Sequence, residues 1–198
     1  MLSAIRPAIV STILFTLLLG LGYPLVVTGL AGVAFPAQAG GSLVYDKADH
    51  HVIGSALLAQ PFAKDEYLHP RPSAAGTNGF DPTASGGSNL GPLDPALAKR
   101  IAGDADALRK STGHQEIPDD AITTSGSGLD PDISPAYALI QADRIAKARG
   151  ATVDAVRALI AQHTDGPFLG FIGQSHVNVL MTNLALDAAF PKAQPRKA

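Results

Sequence analysis

Two segments rich in glycine and serine carry the residues with the clearest chemical potential. The first runs from Ser85 to Pro92 (Ser-Gly-Gly-Ser-Asn-Leu-Gly-Pro), and the second from Thr124 to Pro131 (Thr-Ser-Gly-Ser-Gly-Leu-Asp-Pro). Successive glycines let backbone N–H groups converge on an anion, and serine and asparagine add side-chain donors. The pattern predicts either a phosphate cradle or, as we favour, tight loops whose hydroxyls satisfy buried backbone groups. Neither segment is a P-loop, because no Gly-Lys-Ser/Thr follows the glycines.

Both segments lead toward predicted helices, so they are expected either to form one docking surface or to pack together. A third polar feature is the pair Asn178 and Asn183, which lie five positions apart and are predicted on different faces of one helix. We favour a buried amide that ties this helix to the loops over a ligand contact. The candidate nucleotide- or partner-binding residues are Arg71, Ser73, Ser85, Gly86, Gly87, Ser88, Asn89, Ser125, Gly126, Ser127, Gly128, Asp130, Asn178 and Asn183.

The sequence predicts no catalytic or metal site. Its six histidines form no HxH, HxxxH or HExxH pattern, and the adjacent His50 and His51 point in opposite directions in an extended chain. No GxSxG elbow is present, although a Ser-His-Asp triad with distant members stays open. The absence of cysteine excludes disulfides and thiolate sites. The 15 basic and 17 acidic residues give no positive field for nucleic acid.

The elements that position these residues fall into two parts of very different composition. The 198 residues are 46% hydrophobic and 16% charged, yet only Arg6 is charged within the first 45. The apolar run predicts a membrane span over about residues 8–34 within an anchor of residues 1–39. A cleaved signal peptide is the alternative, with Ala37-Gln38-Ala39 as its cleavage site. Because the run is about twice the usual ~7–15 residues of a signal core, we expect a retained span and a mature chain that begins near Met1.

The span has a predicted orientation and a predicted packing face. Arg6 favours a cytoplasmic N-terminus, which leaves the following domain outside the cytoplasm. Small residues recur every four positions and predict a ridge for a neighbouring helix, unless the threonines only bond back to their own helix. Gly20, Gly22 and Pro24 are expected to bend the helix or mark its outer third. The ridge residues are Ala8, Thr12, Thr16 and Gly20.

Residues 40–198 have the composition of one water-soluble domain, and the predicted fold class is α/β: one transmembrane helix followed by a mixed α/β domain. Strands are expected at residues 42–45 and 52–58, then a long ordered loop from Pro61 to Pro95 that apolar residues hold down. Asp94-Pro95 and Ser134-Pro135 predict helix starts, the second helix running over 136–149 to a stop at Gly150. Thr152 and Ser175 are the predicted caps of two further helices.

Several blocks together resemble a known family. They stand in that family's order and cover nearly the whole chain: Arg71-Pro72-Ser73-Ala74, Ser85 to Pro92, Ser125 to Pro131 with Ile133-Ser134-Pro135, His163-Thr164, and Val177-Asn178-Val179-Leu180 with Asn183 to Asp187. The sequence resembles the C subunit of the bacterial Kdp potassium-transporting ATPase. Two positions depart from the family pattern: Asp132 replaces a common histidine, and Gln174-Ser175-His176 replaces the usual Glu-Pro-Arg.

The resemblance implies a non-catalytic subunit of an ATP-driven, high-affinity potassium uptake pump in the bacterial inner membrane. It implies three partners: the channel-like, potassium-binding Kdp subunit, the P-type ATPase Kdp subunit and, in some complexes, a small fourth subunit. The family is described as a catalytic chaperone that raises the ATP affinity of the P-type ATPase subunit, and Ser85 to Asn89 loosely resembles the signature loop of ABC transporters. Potassium would be the transported ion, with no site identified in this chain.

The predicted topology conflicts with direct ATP contact, because a domain outside the cytoplasm meets no ATP. Assembly with the potassium-binding subunit, together with control of ion access from outside, therefore agrees better with the sequence. A cytoplasmic domain, or a long-range effect of the span on the P-type ATPase subunit, remains the alternative. A different class of function also stays open, namely a stand-alone membrane-anchored extracytoplasmic binding protein or hydrolase. The absence of a paired acid–base or nucleophile motif argues against the hydrolase.

Overall fold

The computed structural model describes residues 2–46 and 49–191. The chain divides into two compact units, residues 1–53 and 54–198. The first holds a long apolar helix, and the second holds most of the helices and a small antiparallel sheet. The chain is thus an N-terminal apolar helix followed by a mixed α/β domain, as the sequence predicts.

The first unit begins with a helix long enough to cross a bilayer. Helix α1 (Leu2–Leu17), a π-helical turn (Leu18–Gly22) and helix α2 (Tyr23–Ala34) follow without interruption. The segment Ser3–Ala34 has 32 residues, and its most apolar 18-residue stretch has a mean hydropathy of 2.1, with none of that stretch buried. At 1.5 Å per residue the whole segment measures about 48 Å, against the ~30 Å of a bilayer's hydrocarbon core.

A π-helical turn lies where Gly20, Gly22 and Pro24 are expected to bend the helix or mark its outer third. The Tyr23 N–H donates to the Leu18 carbonyl five residues back, which widens the helix by one residue at this turn. Pro24 has no N–H to donate, and its ring would crowd the carbonyl four residues before it in a regular helix. A Cβ on Gly20 would still lie 3.9 Å from Thr16 Cγ2, so the small-residue ridge continues across the turn.

Short elements follow the long helix. Helix α3 (Pro36–Ala39) precedes strands β1 (Leu43–Tyr45) and β2 (Val52–Ser55), which form a two-stranded sheet. Both strands lie where the sequence predicts them, but β2 ends three residues early. Ser55 Oγ accepts a hydrogen bond from the Leu57 N–H, which turns the chain out of the strand.

The helices of the second unit begin and end at residues with the expected local chemistry. They are α4 (Pro95–Thr112), α5 (Pro135–Ile140), α6 (Ala142–Arg149), α7 (Val153–Gln162) and α8 (Val179–Ala189). Asp94, Ser134 and Thr152 cap α4, α5 and α7 through their side chains, and Gly150 ends α6 in a left-handed conformation. These four predictions are confirmed.

Two details of the helix predictions are wrong. The segment 136–149 is not one helix, because it breaks at Gln141, whose N–H bonds to the carbonyl three residues back and whose side chain turns toward the long loop. The last helix is capped by Asn178 and not by Ser175. The residues His176–Asn178 form a strand instead, so the helix starts three residues later than Ser175 predicts.

A three-stranded antiparallel sheet forms one side of the second unit. Strand β5 (His176–Asn178) lies between β3 (Asp132–Ile133) and β4 (Thr164–Asp165). In its register, Val177 lies opposite Ile133 on one side and Thr164 on the other. Val177 is fully buried and belongs to the main hydrophobic core. Other members of this core come from β3 and from α5 to α8: Ile133, Tyr137, Ala138, Ala142, Ile145, Val156, Leu159, Ile160, Val179 and Leu186.

The long loop between β2 and α4 is ordered and contains no helix or strand among its described residues. Polar side chains from distant helices hold its backbone. Arg149, whose side chain is 1% exposed, donates to the carbonyl of Glu66 and lies 5.2 Å from the Tyr67 ring centre. Arg144 donates to the carbonyls of Asp65 and Tyr67. Regular structure is therefore unnecessary, because side-chain donors satisfy the loop's carbonyls.

Amide side chains complete the attachment of this loop. Asn183 on α8 accepts from the Leu68 N–H at 2.7 Å and donates to the Leu68 carbonyl at 3.0 Å. Gln141 makes the same pair of bonds with His69, at 2.8 and 3.2 Å. Both amides are buried, as the sequence predicts for Asn183, but Asn183 ties its helix to Leu68 and not to the glycine- and serine-rich segments.

Candidate functional site

The two glycine- and serine-rich segments lie against each other in the second unit. The Gly86 N–H donates to the Ser127 carbonyl at 2.9 Å, and Ser85 Oγ donates to the same carbonyl at 3.0 Å. A Cβ on Gly87 would contact the carbonyl oxygens of Ser125 and Gly126 at 3.3 and 3.4 Å. Of the two arrangements that the sequence leaves open, the segments therefore pack together, and we call them the paired loops.

Gly128 is the residue on which this packing depends most closely. Its φ of +66° lies in the left-handed region, which residues with a Cβ rarely adopt. A Cβ at this position would lie 2.5 Å from the Gly86 carbonyl oxygen and 2.8 Å from the Ala75 nitrogen. Ser73 Oγ donates to the Gly128 carbonyl at 2.6 Å and accepts from the N–H groups of Ala75 and Phe80. Glycine is thus required by both conformation and space.

An ion pair closes one side of the paired loops. Arg71 Nη1 donates to Asp130 Oδ2 at 2.9 Å, with both side chains about one-quarter to one-third exposed. The same guanidinium contacts the carbonyls of Thr123 and Thr124 at 3.4 Å. Asp130 Oδ1 in turn accepts from the Asp132 N–H. The pair therefore fixes the second loop relative to the start of β3.

Several of the groups that the sequence assigns to a phosphate cradle bond within the loops themselves. Ser127 Oγ accepts from the Leu129 N–H and lies 3.3 Å from Ser125 Oγ. Within residues 2–46 and 49–191, the N–H groups of Gly87, Ser88 and Asn89 donate to no protein acceptor. Asn89 is exposed, with a positive φ of 54°. The part of the first loop open to a partner is therefore the short stretch 87–89.

A pocket lined by carboxylates opens beside the paired loops. Its volume is about 420 Å³, and Arg71 and Asp130 of the ion pair form part of its wall. Asp120 accepts from the N–H and the hydroxyl of Ser134 at 2.6 and 2.9 Å, which ties the cap of α5 to this wall. The remaining lining residues are Pro118, Asp119, Asp132, Ile133, Gln174, Ser175 and His176. Four aspartates against one arginine give this pocket a negative charge.

Asp132 and His176, at two of the positions where a departure from the family pattern is expected, both line this pocket. His176 Nε2 lies 3.9 Å from Asp132 Oδ2, across the β3–β5 pair. Burial raises the pKa of the Asp132 carboxyl, while a hydrogen bond from Asn178 Nδ2 at 2.9 Å acts in the opposite direction. The same Nδ2 donates to the Ala56 carbonyl, so Asn178 joins the sheet to the start of the long loop.

The structure brings together ten of the fourteen candidate residues and leaves four apart from the direct loop contacts. Among the described residues, Ser88 and Asn89 make no hydrogen bond to the second loop, Asn178 donates to Asp132, and Asn183 is buried beneath the long loop. The ten are Arg71, Ser73, Ser85, Gly86, Gly87, Ser125, Gly126, Ser127, Gly128 and Asp130.

Sequence reasoning missed the acidic pocket. Its aspartates come from three segments, and the only local signal is the pair Asp119-Asp120 before a Pro-initiated helix. A separate group, the partly buried Asp46 with the exposed Asp49 and His51, offers three ligand atoms within 4.8 Å of one another. The hydrogen bond between His51 and Asp49 raises the pKa of the imidazole. Exposed acidic groups of this kind are common without an ion, so we assign no metal to it.

The chain is similar to proteins of one family over almost its full length. A family model described as "KdpC: K+-transporting ATPase, c chain" matches residues 5–188. The potassium-transporting ATPase KdpC subunit of Caulobacter sp. strain K31 is 63% identical over 191 residues, which is 96% of each chain. The KdpC subunit of Caulobacter vibrioides strain NA1000 / CB15N is 59% identical over 100% of this chain and 99% of its own length. That of Beijerinckia indica is 57% identical over 98% of each.

Proposed function

The chain belongs to the KdpC family of potassium-transporting ATPase subunits, and from this premise we propose that it is a non-catalytic accessory subunit of the high-affinity potassium uptake complex. The observation that carries the proposal is the match over nearly the whole chain, the apolar helix included. Its role is to assemble and stabilise the complex through the apolar helix and the second unit. Ion translocation and ATP hydrolysis then belong to other chains.

The bonding of the serine hydroxyls supports a non-catalytic role. Ser73, Ser85 and Ser127 bond to backbone groups of the paired loops, and Ser134 caps a helix while it donates to Asp120. A serine nucleophile instead needs a base that takes its proton, usually an imidazole. Each of these hydroxyls serves the architecture of the loops or helices.

The partners follow from the family. The proposed complex contains the channel-like, potassium-binding Kdp subunit, the P-type ATPase Kdp subunit and, in some cases, a small fourth subunit. The long apolar helix, with its ridge of small residues, is suited to close packing against a helix of such a partner. The proposed location is the bacterial inner membrane, crossed once, with the N-terminus in the cytoplasm and the second unit outside.

This location determines how ATP enters the function. The proposed effect is the one ascribed to the family, a rise in the ATP affinity of the P-type ATPase subunit. A domain outside the cytoplasm exerts it through assembly with the other chains and not through nucleotide contact. The paired loops are consistent with this, because Ser85 Oγ, the Gly86 N–H and Ser127 Oγ already bond within the fold.

Three measurements test the proposal. Detergent purification of the tagged full chain should recover two larger membrane proteins, and recovery of the chain alone would favour a stand-alone binding protein or hydrolase. Deletion of the chain should abolish growth at micromolar potassium, and unchanged uptake would refute the role. Removal of the chain from the complex should raise the KM for ATP, and an unchanged KM would refute the effect on nucleotide affinity.

The orientation has its own test. Protease added to sealed spheroplasts should digest the second unit, since it lies outside in the proposed topology. Protection of the second unit from protease would place that unit in the cytoplasm, where direct contact with ATP is possible. N-terminal sequencing of the mature protein should start near Met1, whereas a start at Gly40 would show a cleaved signal peptide.

A further inference from the structure

An unusual apolar tip projects from the small sheet between β4 and β5. The connection contains Pro167, Phe168, Leu169, Phe171 and Ile172 between glycines. Phe168, Leu169 and Phe171 are 70%, 69% and 77% exposed, and Ile172 is 51% exposed. Soluble surfaces carry single exposed apolar side chains routinely, but four large ones in five residues form a patch that marks an interaction site. We call residues 167–172 the apolar tip.

The apolar tip has a defined conformation. Phe168 and Ile172 exchange two backbone hydrogen bonds at 2.8 and 2.9 Å, and the Gly170 N–H donates to the Pro167 carbonyl at 3.0 Å. Leu169 has a positive φ of 54°, a conformation that is costly for a residue with a branched side chain. The bonds around it hold it there, and the aromatic side chains are thereby presented on a fixed turn. A preordered apolar turn loses little conformational entropy on binding.

Apolar surface continues from the base of the tip. A groove of about 350 Å³ lies between α5, α7 and the start of the tip. Leu139 in this groove is 41% exposed. Ser175 lines both this groove and the acidic pocket, so the two concavities adjoin. The tip, the groove and the acidic pocket thus form one continuous surface.

The charge around this surface distinguishes between a membrane and a protein as the occupant. From Ala158 to Pro191 the chain has no lysine or arginine, and the nearest charged neighbour before the tip is Asp165. A loop that inserts into an anionic bilayer surface is usually flanked by basic residues, often with tryptophan or tyrosine at the interface. Here the surroundings are acidic, so an anionic lipid surface would be repelled.

We infer that the apolar tip docks into an apolar groove of another protein chain of the potassium-transporting complex, with basic side chains at the edge of that groove facing the acidic pocket. This inference rests on the proposed function, because it takes the partner from the same complex. Phe168 and Phe171 are the anchors, since large aromatic side chains in a central patch usually carry most of the binding energy. The carboxylates orient the contact, as charges around an interface do.

Purification of the complex from cells that co-produce all its chains tests the anchors. The double variant Phe168→Ser, Phe171→Ser should reduce recovery of the other chains about tenfold or more. Leu93→Ser is the matched control, because Leu93 is 94% exposed outside this surface, and its recovery should be unchanged. Equal recovery of the double variant and the wild type would overturn the inference. If the wild-type chain itself recovers no other chain, the result contradicts the proposed function as a subunit of the complex.

A photo-crosslinking amino acid at position 171 of the full chain identifies the occupant independently of stability. In native membranes it should give an adduct with a different protein chain of the complex. An adduct with lipid, an adduct with a second copy of this chain, or no adduct would each overturn the inference. Asp119→Lys at the exposed rim of the pocket should lower recovery at low salt, and increased recovery would overturn the assignment of a basic partner surface.

Discussion

Substitution of Gly128 by alanine should destabilise the second unit strongly. The left-handed conformation costs an L-residue about 1–2 kcal/mol. In addition, the new Cβ would lie 2.5 Å from the Gly86 carbonyl oxygen and 2.8 Å from the Ala75 nitrogen, so the paired loops must separate. Separation weakens the bonds from Ser73 Oγ to Gly128 and from the Gly86 N–H to Ser127, each worth about 1 kcal/mol.

The expected total is a loss of about 2–4 kcal/mol in the free energy of unfolding. For a domain of this size that corresponds to a fall in Tm of about 5–15 °C. Differential scanning calorimetry of the full chain in detergent measures it. Gly126→Ala is the matched control two residues away, because a Cβ there meets nothing within 4 Å, and its Tm should stay close to that of the wild type. Equal melting temperatures for the two variants would refute the close approach of the loops.

Three further outcomes are expected. Asn183→Leu should lower the free energy of unfolding by about 2–4 kcal/mol in urea denaturation, because it leaves both buried backbone groups of Leu68 unpaired; a midpoint equal to that of the wild type would contradict the tie. Arg149→Lys should make the long loop sensitive to limited proteolysis. Lysine cannot donate at once to the four acceptors of the guanidinium, which are three backbone carbonyls and the Asp187 carboxylate. Arg157→Lys at an exposed position is the control and should leave the loop as resistant as in the wild type. Asp132→Asn should raise Tm at pH 7. The pKa of the Asp132 carboxyl is raised in the folded state, so folding disfavours its charged form. The wild-type carboxyl therefore costs the folded state no free energy at low pH and destabilises it as the pH rises through the folded pKa. The gain should therefore vanish below about pH 4, and a gain that grows on acidification would contradict the sign.

The predictable parts of the fold are those that local chemistry determines. Asp94, Ser134 and Thr152 each bond to an N–H two or three residues ahead, so their capping roles depend on a few neighbouring residues only. Gly150 needs nothing beyond its own freedom to adopt a positive φ. The long apolar helix follows in the same way from composition.

The wrong helix predictions concern residues whose conformation depends on distant parts of the chain. Ser175 and Asn178 are both good capping residues before an apolar run, and the choice between them depends on strand β5 pairing with β3 and β4. The break at Gln141 accompanies its bonds to His69, 72 residues away in sequence. Neither partner is visible in a local window, so tertiary contacts override the helical pattern there.

The candidate site likewise has features that local sequence predicts and features that depend on distant contacts. Its residue types predict tight loops with internal hydroxyl bonds, and the structure has them. The contact between the two loops joins residues 42 apart in sequence, and the ion pair of Arg71 with Asp130 in the acidic pocket joins residues 59 apart. The apolar tip gives no periodic signal, because five apolar residues between glycines are equally typical of a buried turn.

The amides of Gln141 and Asn183 have a consequence for how the long loop tolerates change. Each amide exchanges two hydrogen bonds with one loop residue, as a neighbouring strand does at a single rung of an antiparallel ladder. Two such rungs on the consecutive residues Leu68 and His69 fix the loop's register against two helices. An insertion or deletion between the two residues breaks a rung, and one directly before the dipeptide displaces the Glu66 and Tyr67 carbonyls that Arg149 and Arg144 hold. The N–H groups of Leu68 and His69 should accordingly exchange with solvent more slowly than those of the rest of the loop.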